Sequence, residues 1–425
     1  MKTSLQVNET DLGSHIRTRK GYAFKSMWYS DTGCRIVKVS DFTDDSIDTS
    51  NLVCVPEEIA KDYQNYLLDA GDVIVQTVGS WPSNPKSVVG KVIRVPPNAS
   101  SALLNQNAVK LIPDNKLERR YLFYLLRTDD FKNYIIGTAQ GAASQASITL
   151  DSIRSYRFAL PPLPTQRKIA AILSAYDDLI ENNTRRIKIL EEMAQALYRE
   201  WFVNFRFPGH EKVRMEESEL GPKPEGWEIK RLDHVVLFQN NGTNAGEHLS
   251  DRVYLPIDCI PRKSLAISEV KSWEEAKSSL HLFDEGDIIF GAMRPYFHKV
   301  VVAPFKGVTR KTCFVFKSVI PEYHAFAALT LFQDSTVSFA NSHSKGATIP
   351  YAAWSQSMDG MEVVVPPVEI AEKFEKLVSP MISRIGVMYF QNTALRQTRD
   401  FLLPKLISGE IDVEGLEIKA GELVS

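Results

Sequence analysis

The stretch LPPLPTQRKIAAIL (residues 160–173) has a second version, VPPVEIAEKFEKLV (residues 365–378), and this recurrence limits the possible folds more than any other feature of the chain. Each copy begins with an extended apolar run, passes two prolines and opens into helix-forming sequence. Pro161 and Pro366 stand 205 residues apart (366 − 161), close to half of a 425-residue chain. Self-similarity at one offset decides the architecture before any local reading does. At that offset Ile169 falls on Phe374, Ile180 on Ile385, Leu190 on Leu395 and Leu197 on Leu402. Phe158 falls on Val363 and Tyr121 on Phe326. Earlier in the chain the offset becomes 215 (286 − 71), where AGDVIV (residues 70–75) matches EGDIIF (residues 285–290). The first copy thus holds about ten extra residues between its Gly-Asp and its helix, a length change that loops absorb at small entropic cost.

The helical half of each copy has a readable period. In the first, Leu173, Tyr176, Ile180, Asn183, Ile187, Leu190, Ala194, Leu197 and Trp201 alternate by threes and fours. In the second, Phe374, Met381, Met388, Leu395 and Leu402 recur every seven, with Val378, Ile385 and Leu406 beside them. That is the seam of a coiled coil, a stripe meant for one partner helix. Two unrelated amphipathic helices would also give apolar stripes. Both seams, however, carry an asparagine, Asn183 and Asn392, and a polar seam residue fixes register. Mutual pairing is therefore expected. Prolines before each helix mark its start, while Pro380 is expected to kink or split the second one.

The rest of each copy has an α/β pattern. DVIVQTV and DIIFGAM read as strands behind a Gly-Asp turn, and YRFALPP and MEVVVPP as final strands feeding the helices. LERRYLFYLLRTDDFKNYIIG reads as one helix with a glycine stop. The order is globular domain, long helix, globular domain, long helix. A Pro/Gly-punctuated link, FPGHEKVRMEESELGPKPEGW, joins the copies.

Catalytic signatures are missing: no GxGxxG after a strand, no P-loop, no HExxH and no GxSxG. Asp412, Glu417 and Lys419 make a nuclease-like set only on paper, in a short polar tail with no sheet to hold them. The histidines lack metal or triad spacing, and Cys34, Cys54, Cys259 and Cys313 are scattered, without CxxC. No apolar run approaches a membrane span, and MKTSLQVNET is too polar for a secretory signal, so a cytoplasmic location is expected. A net charge of −2 argues against a chain basic all over, yet local basic patches suffice for nucleic acid.

Such patches recur at matching places. IRTRKGYAFKSMWYS gathers Arg19, Lys20, Tyr22 and Lys25. Behind the Gly-Asp strands come QTVGSWPSNPKS, with Gln76, Ser80, Trp81 and Lys86, and GAMRPYFHKV, with Arg294, Tyr296, His298 and Lys299. Arg262, Lys263 and Lys345 complete the candidate DNA-binding set. Lys and Arg neutralise phosphates, while Arg, Gln and Ser reach base edges.

These residues carry a family likeness. The chain resembles the specificity (S) subunit of type I restriction–modification systems over nearly its whole length. The most specific stretch is LPPLPTQRKIAAILSAYDDLIENNTRRIKILEEMAQALYREWFVNF, similar to that family's central conserved region, and LRQTRDFLLPKLISGEIDV resembles its distal one. GYAFKS, GDVIV, LNQNAVKLIP and GWEIKRL are similar to its recurrent target-domain features. The loop after Gly71-Asp72 lacks the arginine often seen there, and LFQNNGTNAGEHLS is an atypical start to the second target domain.

The resemblance implies an α/β (α+β) fold, with two similar target recognition domains joined by two long helices that pair as an antiparallel coiled coil with pseudo-twofold symmetry. The expected divisions are a first target recognition domain at 1–160 and a central conserved helical region at 161–207. A linker at 208–226, a second target recognition domain at 227–365, a distal conserved helical region at 366–412 and a tail at 413–425 follow. Each domain would read one half of a bipartite, asymmetric site in double-stranded DNA. Helix pairing and subunit contact fall to Leu173, Ile180, Asn183, Ile187, Leu190, Leu197 and Trp201, against Phe374, Met381, Met388, Asn392, Leu395 and Leu402. The implied partners are two modification (M) subunits and two restriction (R) subunits. S-adenosylmethionine, ATP and Mg belong to those partners, and this chain binds no cofactor or metal and is not itself catalytic. The alternatives are an S-like subunit of a system with fused methyltransferase and nuclease, a stand-alone DNA-modifying enzyme, or a plain protein scaffold. A helix from Gln166 to about Asn204 would span roughly 55–60 Å at ~1.5 Å per residue. That is enough to hold two reading heads one DNA turn, ~34–36 Å, apart.

Overall fold

Gly71 and Gly286 hold the same left-handed backbone, φ +83° and +87°, which glycine adopts without a Cβ penalty. The aspartate behind each locks the turn: Asp72 Oδ2 accepts from the Asp69 amide and Asp287 Oδ2 from the Asp284 amide, both at 2.8 Å. From each turn starts the strand at the centre of its half. The computed structural model describes residues 8–43, 46–82, 88–142, 145–277, 279–346 and 348–417. It divides into two units, Met1–Asp178 with Arg396–Ser425, and Leu179–Leu395.

In the first unit, Val73–Gln76 lies in a four-stranded antiparallel sheet ordered Ile16–Lys20, Ala108–Pro113, Val73–Gln76, Val92–Arg94. Strand side chains alternate faces, and here both faces are buried. Val73 and Val75 enter the core built with the helix Arg119–Leu125, while Ile74 meets Val37, Leu68 and Ile93 on the other side. A smaller sheet has Cys34–Val37 at its centre, antiparallel to Cys54–Val55 and parallel to Leu103–Leu104. Arg157–Leu160 pairs with Asn8–Asp11, closing the unit just before its long helix.

The second unit repeats this plan. Its main sheet runs Val236–Phe238, Cys313–Ser318, Ile288–Gly291, Val300–Val302, and Glu362–Val365 pairs with Glu228–Arg231. Ile288 and Phe290 face one core and Ile289 the other, the same alternation as in the first unit. The smaller sheet has four strands rather than three and again contains one parallel pair, Val253–Tyr254 with Gly307–Arg310.

The segment read as one helix is two, Arg119–Leu125 and Asp129–Gly137. Thr128 is extended (φ −62°, ψ 151°), and its hydroxyl accepts from the Phe131 amide at 3.4 Å, so Thr-Asp-Asp restarts the helix with its own cap and acidic first turn. The second unit breaks at the matching place, between His324–Phe332 and Asp334–Ser342.

The long helices are Leu163–Tyr198, prolonged by a π turn over Arg199–Val203, and Val368–Ile407. Pro380 does not split the second helix as expected. It sits on the exposed side, while its neighbours Val378 and Ile382 are buried and hold the chain helical.

Within the second unit the two helices pair antiparallel. Asn183 Nδ2 donates to Asn392 Oδ1 at 3.0 Å with both side chains buried, and Trp201, further along the first helix, meets Phe374, earlier in the second, at 5.5 Å. In the first unit, Arg399 Nη1 donates to Asp177 Oδ1 at 2.7 Å, and the Tyr124 hydroxyl donates to the other carboxylate oxygen at 2.5 Å. Leu173, Ile180, Asn183, Trp201, Phe374, Met388 and Asn392 are buried, whereas Ile187, Leu190, Leu197, Met381, Leu395 and Leu402 are half-buried. The strict seven-residue spacing gives way to Ile382 in place of Met381 and Leu403 in place of Leu402. A helix of 3.6 residues per turn drifts against such a repeat. The helices also pack on more than each other, since Phe374 and Val378 belong to the main core of the second unit.

All four cysteines are free. Among the described residues, no helix is long and apolar enough to cross a membrane, and no cluster of His, Cys, Asp and Glu could hold a metal.

Candidate nucleic-acid interface

In the second unit three loops meet through backbone bonds. The Lys263 amide donates to the His298 carbonyl and the Arg294 amide to the Pro350 carbonyl, both at 2.8 Å. Lys345 and Tyr351 exchange two bonds of 2.9 Å. Arg262, Lys263, Arg294, Tyr296 and Lys345 thereby come together on one basic face. Phe297 is its platform: the Arg262 guanidinium lies 3.8 Å from the ring centroid, Arg294 lies at 6.0 Å and Tyr296 packs edge-on at 4.7 Å. A guanidinium held over a ring at this distance can still turn N–H groups outward to a phosphate or a guanine edge. Tyr296 is 50% exposed, able to stack on or bond to a ligand.

Arg294, His298 and Lys263 all take left-handed backbone, φ 51–52°. For residues with a Cβ this costs of order 1–3 kcal/mol each, and it persists only where surroundings enforce it. His298 is part of that enforcement, which corrects its placement among the DNA contacts. It is 4% exposed, with Nε2 2.7 Å from the Phe332 carbonyl and Nδ1 3.1 Å from Asp334. Burial pulls its pKa down, against the opposing pull of the Phe332 carbonyl and Asp334. Asp334 is held below the usual carboxylate range, first by its bond to Lys263. Lys299 also turns inward, donating to the Ile257 carbonyl at 2.7 Å.

The first unit builds the matching loops with other residues. Val78–Gly79 pairs with Ala146–Ser147, and Trp81 Nε1 donates to the Ala142 carbonyl at 2.9 Å, tying the two loops together. Ser80 and Trp81 are half-buried on this surface, whereas Gln76 is fully buried and donates to the Val78 carbonyl, a second correction to the candidate set. Lys86 lies outside the described residues, as does Lys419 of the tail.

A second basic cluster follows the edge strand Ile16–Lys20. Arg19, Lys20 and Lys25 are exposed, with Arg19 donating to the Asn65 carbonyl and Lys25 poised 5.3 Å from the Trp28 ring centroid. Gly21 is required there, because a Cβ would stand 2.0 Å from the Asn105 carbonyl oxygen. Tyr22 is only half-buried and joins Tyr63 and Tyr66, with centroids at 4.4 and 5.4 Å. The Tyr63 hydroxyl donates to that of Tyr22, and this bond is the first cause of a Tyr63 pKa pushed up to about 12. Sequence reading missed Tyr63, Tyr66 and Phe297. Phe297 stood inside a quoted motif, but no local signal marks the tyrosines as neighbours of a residue more than forty positions earlier.

Residues 19–192 match the family described as the type I restriction modification DNA specificity domain. The chain is 29% identical to the Methanocaldococcus jannaschii type I restriction enzyme MjaIX specificity subunit, over 73% of each chain. It is 24% identical to the Haemophilus influenzae type I restriction enzyme HindI specificity subunit, over 73% of this chain and 80% of that one. A crystal structure of the type I restriction–modification S subunit from M. genitalium shares the fold, with a TM-score of 0.56 at 13% identity, over 96% of this chain and 98% of that one. The duplicated head-and-helix plan and these relatives lead to one conclusion: the chain is similar, over most of its length, to specificity subunits of type I restriction–modification enzymes, and its residues 19–192 match their DNA specificity domain.

Proposed function

We propose that the chain reads a bipartite, asymmetric DNA site, one half with each globular unit, and carries no catalytic group of its own. The observation that carries this reading is one scaffold built twice with different loops. The first unit presents Arg19, Lys20, Lys25 and the Tyr22 cluster, with Ser80 and Trp81; the second presents Arg262, Lys263, Arg294, Tyr296 and Lys345. Equal scaffolds with unequal side chains suit two half-sites of different sequence, since loops set base contacts while the frame stays constant. The long helices, 36 and 40 residues, are the proposed spacer between the half-sites.

The partners in this proposal are two M subunits, which would bring S-adenosylmethionine and methylate adenine, and two R subunits with ATP and Mg. Leu179, Ile189, Met193, Val387 and Phe390 on the long helices are 41–51% exposed, an apolar surface suited to covering by protein. The deciding experiment maps methylated adenines in DNA exposed to this chain with its modification partner. A two-part motif with a fixed gap is expected, and a continuous motif would overturn the reading. Methyl transfer from labelled S-adenosylmethionine by this chain alone would instead favour a stand-alone enzyme.

A further inference from the structure

Glu191 lies inside the first long helix, about two turns before its C-terminal end, where a carboxylate does not serve the helix dipole, yet it is only 8% exposed. Burying a carboxyl is costly unless donors meet it. Here one oxygen, Oε1, accepts three bonds from the 264–266 loop: the Ser264 hydroxyl at 2.6 Å, the Leu265 amide at 2.7 Å and the Ala266 amide at 3.1 Å. Burial raises the Glu191 pKa, and these three donors work against that rise. The same loop carries Arg262 and Lys263. Lys263 stands in left-handed backbone at φ +52°, a shape that a non-glycine residue keeps only when its flanks are fixed. One flank is held by the bond from the Lys263 amide to the His298 carbonyl, the other by Glu191.

We propose that Glu191 is a positioning residue for specificity: from the helix, it fixes the loop that aims Arg262 and Lys263, and so sets how the second unit reads its half-site. The inference rests on the DNA-reading role proposed above for that basic face. It makes the helix part of the reading apparatus of one head. Arg396 stands at the matching position of the second long helix, so this carboxylate device belongs to the second unit alone.

The test uses this chain purified with its modification partner, on duplexes in which each half-site is varied in turn, reading relative methylation rates. Glu191→Ala is expected to lower discrimination at the second unit's half-site by about 10-fold, the scale of one lost base contact, and to leave the other half-site unchanged. Glu191→Gln is expected to retain discrimination, because its amide oxygen accepts the same three bonds. Ser264→Ala, which removes one donor from an otherwise intact core, is expected to lose a few-fold at the same half-site and carries the test if Glu191→Ala does not fold. Full discrimination in Glu191→Ala or Ser264→Ala overturns the proposal. Equal loss at both half-sites, or loss in Glu191→Gln as deep as in the alanine variant, does so too. Arg262→Ala separates the two levels: if it changes half-site reading while Glu191→Ala does not, only the positioning role falls, and if neither changes it, the role of the basic face falls.

Discussion

Arg262 and Phe297 carry a chemical meaning that neither has alone. The guanidinium pressed on the ring at 3.8 Å loses rotamer freedom before any ligand arrives, so less entropy is lost on binding. Arg294, at 6.0 Å from the same ring, shares the platform less closely. Arg294→Ala is expected to relax or abolish reading of one half-site only, measured by methylation of duplexes varied at each half, and equal loss at both would count against independent heads. His298→Ala should behave differently. It leaves the Phe332 carbonyl without its buried donor, a loss of about 1–3 kcal/mol visible as a lower melting temperature. The two residues stand four apart in one basic motif, and the sequence treats them alike. What separates them is side-chain direction, set by a helix more than thirty residues away, which no local pattern encodes.

At the scale of the element, the long helices show how a duplication diverges. In the first unit Tyr124, Asp177 and Arg399 form a buried polar network across the helix pair. The positions that match them 205 residues away are Leu329, Ile382 and Ala194, all buried and apolar. Asp177→Ala removes the Asp177 carboxylate from an Arg399 side chain only 4% exposed, leaving the half-exposed Asp400 at 2.9 Å as a carboxylate partner, and a loss of about 1.5–3 kcal/mol is expected in thermal or denaturant unfolding. The combined replacement of Tyr124 by Leu, Asp177 by Ile and Arg399 by Ala, which copies the other unit, should recover most of that loss, because buried ion pairs exchange well for packed apolar groups. Failure to recover would show that the network holds the first unit's register and cannot be traded. The helices, their pairing and Asn183–Asn392 were legible because apolar spacing and one odd polar residue are local signals. The Asp177–Arg399 pair was not, because neither residue stands on the apolar seam spacing, and charged residues beside a seam read as a solvated face. The continuity through Pro380 was not either, because packing outweighed a local rule.

At the scale of the whole molecule, the proposed function makes a length prediction. The first unit's helix contacts include Asp177 with Arg399, and the second unit's include Asn183 with Asn392 and Glu191 with its loop. Insertions meant to test spacing therefore belong between these sets, after Ile180 in one helix and after Ala394 in the other, leaving every named contact intact. Four residues add ~6 Å to a helix and turn it by little more than one full revolution, so buried faces stay nearly aligned. At ~3.4 Å per base-pair step, the gap between the two methylated half-sites should grow by one or two base pairs. An insertion in one helix only should instead break the register of the Asn183–Asn392 bond and weaken the fold, because a paired seam tolerates length changes only when both strands share them. If methylation maps show the original gap with both insertions in place, the helices do not set the spacing, and the distance between half-sites must be fixed by the partner subunits.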